Sequence, residues 1–119
     1  MILLADPDPE SRDALCEPLV AAGYFVRAVA TGMEAAQVLM GTIPRLIVLD
    51  LDLKWLSGRQ LIEILKSHHH TARIPIIALA YFPTYLPGTT VLMRPIDPQR
   101  LLDVVDRVSA GYDLHRDHR

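Results

Sequence analysis

Two apolar runs in this chain end in carboxylates, and those acids are its best candidates for chemistry. Leu46-Ile-Val-Leu runs into Asp50, with Asp52 close behind, and Met1-Ile-Leu-Leu-Ala runs into Asp6, with Asp8 close behind. A short apolar run that stops at an acid reads as a buried strand delivering a carboxylate to a sheet edge. In open α/β sheets ligands bind outside the carboxyl ends of the strands, so Asp50 would stand where chemistry happens if its neighbours cooperate. Gly58, eight residues after Asp50, then opens a helical pattern. If nothing compensates them, gathered carboxylates raise one another's pKa. A solvated acidic edge is the plainer reading of Asp6, Asp8, Asp50 and Asp52.

The other reactive side chains carry less. His68, His69 and His70 invite a metal reading, but consecutive residues on a helix end point about 100° apart and do not converge on one ion. They read as solvated histidines, as do His115 and His118 in the polar tail. Cys16 is the single cysteine and cannot form an internal disulfide. On a helix with no basic activator nearby, packing is its expected role. Trp55 lies in the loop after Asp50, where it either caps the site or binds a partner; packing over the following helix is the commoner outcome.

The chain that must position these residues has 119 residues, about half of them hydrophobic, with 12 basic residues against 14 acidic and a net charge of -2. That is enough for one core and one domain. The absence of a basic stripe argues against nucleic acid as the main partner. No apolar run reaches the ~18 residues that span a bilayer, and the first residues lack the pattern of a signal peptide, so a cytoplasmic protein is expected.

Read by hydrophobic period, short apolar runs alternate with longer amphipathic ones. Strands are expected at Met1 to Ala5, Phe25 to Ala30, Leu46 to Leu49, Ile74 to Ala80 and Thr90 to Met93. Helices are expected over Pro9 to Ala22 (Leu15, Leu19 and Ala22 inward) and from Thr31-Gly32 through Met40 (Ala35, Ala36, Leu39 and Met40 inward). Another follows Gly58, with Leu61, Ile62, Ile64 and Leu65 inward, and a last one runs from Asp97 to Ser109, with Leu101, Leu102, Val105 and Val108 inward. Residues 1–109 form the domain and 110–119 a polar tail. Right-handed crossovers leave few arrangements, and the expected fold is a flavodoxin-like, doubly wound, five-stranded parallel α/β sheet in the order 2-1-3-4-5.

Ile2-Leu-Leu-Ala-Asp6-Pro-Asp8-Pro9, Asp50 with Gly58, Met93-Arg94-Pro95-Ile96 and Thr31-Gly32-Met33-Glu34-Ala35-Ala36, in this order and spacing, resemble the receiver domain of two-component response regulators. The resemblance runs from Met1 to about Ser109. It implies phosphoryl transfer from a histidine kinase to Asp50, assisted by Mg²⁺ held by Asp6, Asp50 and the backbone carbonyl of Asp52. A cation is needed because negative charge develops on the phosphoryl oxygens as they approach a carboxylate.

Several positions depart from the family pattern. The second acid of the Mg²⁺ pair is replaced by Pro7, leaving Asp8 as a substitute ligand and implying weak Mg²⁺ binding. The hydroxyl residue that ends the fourth strand is Ala80, which can make no hydrogen bond through its side chain. The strand-five lysine is Arg94, whose planar fork does not reproduce a compact ammonium, so an Arg94 ion pair with Asp50 or Asp6 is expected where metal is lacking. Lys54 replaces a proline after the acceptor, and Pro95 invites the cis Arg94-Pro95 bond that the family has.

Ala80 and Arg94 are only fourteen residues apart, which leaves nine residues, Tyr81 to Thr89, for a crossover that ordinarily takes a dozen or more. Pro83 and Pro87 break helix, so the fourth helix is expected to be missing and replaced by an extended crossover. Nine residues at ~3.3 Å reach about 30 Å, enough to return along a strand of ~17 Å. The lost helix is expected to bare apolar side chains of strands four and five, with Tyr81, Phe82, Tyr85 and Leu86 replacing part of the cover, and to favour a homodimer or a signalling partner through this face.

The leading functional expectation is an atypical receiver, a protein-interaction module and not an enzyme, with phosphorylation of Asp50 impaired or lost. The alternative is a working receiver in which Asp8 and Arg94 replace the missing parts and a histidine kinase phosphorylates Asp50 with Mg²⁺. A small-ligand-binding flavodoxin-like domain is a third class. Against it, Asp6-Pro-Asp8-Pro9 stands where a Gly-rich phosphate loop would be and repels anions.

Overall fold

Alternate residues of the buried strands face opposite ways, and that alternation builds two cores, one on each face of a single sheet. A computed structural model describes residues 1–117. The strands are β1 (Ile2–Ala5), β2 (Val26–Val29), β3 (Leu46–Asp50), β4 (Ile76–Ala80) and β5 (Thr90–Met93), and the helices are α1 (Pro9–Ala21), α2 (Gly32–Gly41), α3 (Gly58–Ser67) and α4 (Pro98–Asp117). All neighbouring strands are parallel and their order is β2-β1-β3-β4-β5, as expected. Leu3, Ala5, Ile47, Leu49, Ile76 and Ala78 pack against Ala35 of α2 and Leu61, Ile62 and Leu65 of α3. Ile2, Leu4, Leu46, Val48, Ile77 and Leu79 pack against Leu15 and Leu19 of α1 and Leu101, Val104 and Val105 of α4.

Local signals in the sequence set the helix starts. Asp8 caps α1 by accepting from the Ser11 backbone, with Pro9 following it, Thr31 caps α2, and Ser57 and Gln60 form a reciprocal capping box on α3. Gly58 has a different reason. A Cβ there would stand 2.2 Å from the Asp50 carbonyl oxygen, so the start of α3 can lie under the end of β3 only with glycine.

Several expectations are corrected. Phe25 lies outside β2 and is exposed, and Met40 and Ile64, expected inward, are exposed on α2 and α3. Ala22 is the exposed cap of α1. Met40 and Ile64 lie at the margin of an apolar stripe, where helix rotation against the sheet decides burial; Phe25 and Ala22 lie in the turn between α1 and β2. The last helix does not stop at Ser109 but continues to Asp117, so the backbone expected to be a frayed tail is helical. His118 and Arg119 lie outside the described residues, as does the side chain of His115.

The crossover from β4 to β5 contains no helix, and its effect on the sheet differs from expectation. Ile76, Ala78 and Ala80 remain buried, because Leu86 of the connector and Val91 pack against their face and Lys66 Nζ of α3 donates to the Gly88 carbonyl at 3.1 Å. The sheet is therefore covered over β4 and in part over β5, where Met93 stays 42% exposed. Further apolar surface lies on the connector, where Tyr81, Phe82 and Tyr85 are 58%, 77% and 86% exposed. No helix among the described residues is long and apolar enough to cross a membrane.

Candidate functional site

Parallel strands in register end together, and this brings the two expected acids to one point. Asp50 closes β3 and Asp6 follows β1, with Ala5 opposite Leu49. Both are almost fully buried, at 1% exposure for Asp6 and 2% for Asp50. Arg94 follows β5 and enters the same place because its backbone N–H donates to the Ala80 carbonyl at 2.7 Å, prolonging the sheet by one bond. The peptide bond between Arg94 and Pro95 is cis.

The guanidinium joins everything at this edge. Nε donates to Asp50 Oδ2 at 3.0 Å, and Nη1 donates to Ser11 Oγ at 2.9 Å. Nη2 lies between the carboxylates, 2.9 Å from Asp50 Oδ2 and 3.1 Å from Asp6 Oδ2. Its N–H bonds meet neither oxygen in hydrogen-bonding geometry, so these two contacts are ionic and not directional. Arg94 Cζ sits 5.6 Å from the ring centroid of Tyr81, a cation–π distance.

The remaining carboxylate oxygens are also engaged. Asp6 Oδ1 accepts from the Asp8 backbone at 3.1 Å, and Asp6 Oδ2 accepts from the Ser11 hydroxyl. Asp50 Oδ1 accepts from the Asp52 backbone at 2.7 Å. The Asp8 carboxylate turns outward to cap α1, and the Asp52 side chain is exposed. Ala80 is buried and presents only its methyl group. Of the residues expected here, Asp6, Asp50 and Arg94 meet, while the carboxylates of Asp8 and Asp52 point elsewhere.

Electrostatics follows from burial. Loss of water pushes the Asp50 carboxyl above its ordinary value; the Asp52 N–H and Arg94 oppose this, and the charge of Asp6 adds to it least. The mutual repulsion expected between uncompensated acids is thus a minor cause, because Arg94 neutralises the pair. Burial works against the charged guanidinium of Arg94, but Asp6 and Asp50 outweigh it and raise its pKa. The Cys16 thiol is pushed up by burial and by Asp13, which suits a packing role.

Ser11 and Tyr81 belong to the site and were not among the expected residues. Ser11 was legible in part: capping by Asp8 puts it in the first turn of α1, facing back toward Asp6. Tyr81 directly follows Ala80 at the end of β4, and its ring reaches Arg94 from the start of the connector. Trp55 is 74% exposed and has a positive φ of 60°, with Leu56 at 130°, a strained backbone for non-glycine residues. This loop is pinned to α2, the Gly32 N–H donating to the Lys54 carbonyl at 3.0 Å. Trp55 therefore does not cap the carboxylates.

A five-stranded 2-1-3-4-5 sheet with a buried aspartate ending its central strand, a second acid beside it and a strand-five cation defines a receiver-type signalling domain. The chain belongs to the response regulator receiver domain family, whose sequence profile matches residues 2–85. It is 38% identical over 109 residues to the transcriptional regulatory protein GltR of Pseudomonas aeruginosa, covering 85% of this chain and 45% of that regulator. The chain thus spans less than half the length of that relative. The signal receiver domain of a signal transduction histidine kinase from Syntrophus aciditrophicus superposes with a TM-score of 0.82 at 27% identity, covering 92% of this chain and 89% of that one. The receiver domain of sensor histidine kinase PA1611 from Pseudomonas aeruginosa PAO1, which holds a magnesium ion in its active site cleft, superposes at 0.79 with 24% identity, covering 92% and 96%.

Magnesium demands near-octahedral oxygen coordination at short range, and the residues of this chain do not fit it. Both inner oxygens of Asp6 and Asp50 already contact Arg94, both outer ones accept backbone N–H bonds, and Pro7 brings no side-chain donor. Among the described residues no group of three or more His, Cys, Asp or Glu side chains is placed to hold a metal ion.

Proposed function

We propose that this domain is an atypical receiver in two-component signalling, a cytoplasmic module that works by binding other signalling proteins and in which phosphoryl transfer to Asp50 is impaired. The observation that carries this reading is the Arg94 fork. Asp50 Oδ2, the oxygen that faces the site, is held by Nε and Nη2 of Arg94, and Oδ1 by the Asp52 N–H. A carboxylate with a charge-assisted hydrogen bond on each oxygen and a guanidinium against one of them is a weakened nucleophile. One guanidinium also cannot supply the positive charge and hydroxyl donor that spread charge over three phosphoryl oxygens demands, and Ala80 adds nothing.

The competing reading, a working receiver, needs Asp8 as the replacement ligand, and its carboxylate is committed to the α1 cap. Incubation with acetyl phosphate or beryllium fluoride, followed by intact-mass spectrometry and by NMR of the Asp50 amide region, distinguishes the two. The expected result is no adduct at Asp50. Stoichiometric modification that Asp50→Asn abolishes would establish the working receiver instead.

The connector is the proposed partner surface, for a second copy or another signalling protein such as a histidine kinase. Its exposed Tyr81, Phe82 and Tyr85 are residue types that dominate protein interfaces, and they stand beside the Arg94 site through the Tyr81 contact. The balanced charge of the chain supports protein partners over nucleic acid.

A further inference from the structure

We infer that the Arg94 guanidinium, and not a divalent metal, is the resident counter-ion of Asp6 and Asp50, and that its presence is what keeps a metal from this edge. The inference goes beyond the proposed function, since it holds whether or not Asp50 ever accepts a phosphoryl group.

Two buried carboxylates ending adjacent strands need a positive charge, because a buried carboxylate without one is strongly penalised. Either a metal or a side chain can supply it, but not both in the same space. Arg94 Nη2 contacts one oxygen of each acid. It is also held from outside: Nη1 donates to Ser11 Oγ, Nε donates to Asp50, and the Tyr81 ring lies against Cζ. The arginine side chain is 8% exposed, so the fork is sealed into the edge and not a mobile surface arm. A metal ion entering from solvent would have to displace a group fastened at four places and then complete its shell with water.

A lysine at this position would behave differently. Its single ammonium cannot donate to Asp50, contact Asp6 and reach Ser11 at once, so Asp6 would regain a free oxygen. Loss of the cation altogether would leave two buried carboxylates uncompensated, and these would recruit a hard cation or titrate.

The test uses Mn²⁺ as the probe, followed by water-proton relaxation, with Mg²⁺ as competitor, on the wild-type chain, Arg94→Met and Arg94→Lys. The wild type is expected to take up Mn²⁺ only weakly. The variants are expected to bind it at least about tenfold more tightly, with competition by Mg²⁺, loss on adding Asp50→Asn, and a melting temperature that rises with Mg²⁺ only in the variants. If Arg94→Met fails to fold, Arg94→Lys carries the test, because it keeps a cation at the site. Wild-type uptake as tight as that of a folded variant overturns the inference, and so do folded variants that bind no better than wild type. Neither readout depends on phosphorylation, so failure here and failure of the receiver reading are separable.

Discussion

Arg94 contacts Asp6, Ser11, Asp50 and Tyr81 at once, so a single substitution there disturbs four elements. Removing one partner of a buried ion pair typically costs about 3–5 kcal/mol, because the other charge is left without a counter-ion. Arg94→Ala is expected to lose about that much in urea unfolding in the presence of a chelator, and Arg94→Lys less. Asp50 carries the pH dependence. Its carboxyl lies above the ordinary 3.8 because it is buried, so the native state holds that proton more tightly than the unfolded chain does. The ionised form therefore costs stability at every pH above the folded pKa, and the cost is relieved as pH falls through it. Carboxyl ¹³C NMR should find Asp50 titrating above 3.8, and further up in Arg94→Met; a midpoint at or below the ordinary value would show that the ion pair and not burial governs the group. A pairing of Arg94 with Asp50 or Asp6 was legible from residue types at the strand ends. The roles of Ser11 and Tyr81 were not, because they arrive from α1 and the connector, distant in sequence from both β3 and β5.

At the level of elements, α3 reaches the site only through the close approach of Gly58 to the end of β3. A methyl group there would sit 2.2 Å from the Asp50 carbonyl, and relieving that overlap needs backbone movement directly beneath the acid. Gly58→Ala is expected to destabilise the fold by about 1–3 kcal/mol, in the range of other overpacking changes. The backbone amides of Asp50 and Asp52 should shift in its HSQC spectrum while those of β2 stay put. The connector offers a contrast between neighbours. Leu86 packs on the core and Tyr85 does not. Leu86→Ala is expected to cost about 2 kcal/mol and Tyr85→Ser less than about 0.5 kcal/mol, both measured by urea unfolding; equal losses would mean that the aromatics cover the sheet after all. The missing helix could be inferred from Pro83, Pro87 and the shortness of the segment. That Leu86 and not the three aromatics would pack on the core could not, since it depends on how β4, β5 and α3 frame the gap.

For the molecule as a whole, exposed apolar side chains are spread over several elements, but three aromatic ones, Tyr81, Phe82 and Tyr85, are gathered on the connector. If partners or a second copy meet the domain through Tyr81, Phe82 and Tyr85, sedimentation equilibrium at rising concentration should show self-association, or a signalling partner should be retained, and Tyr85→Asp should weaken either. A strict monomer at high concentration, with partner binding indifferent to Tyr85→Asp, would move the interaction surface elsewhere.

The alternation of strands and helices, the placing of Asp6 and Asp50 at strand ends and the loss of the fourth helix were determined by local sequence: apolar runs of strand length, acids at their ends, and two prolines in a nine-residue link. These follow from backbone geometry and hydrophobic period, which act over a few residues. Tertiary structure alone decided that Met40 and Ile64 face solvent, that the last helix continues to Asp117 and that Arg94 joins both acids. Each of those depends on how far one packed element is rotated or shifted against another, and a side chain at an apolar margin or a strand end can satisfy the same local pattern in either position.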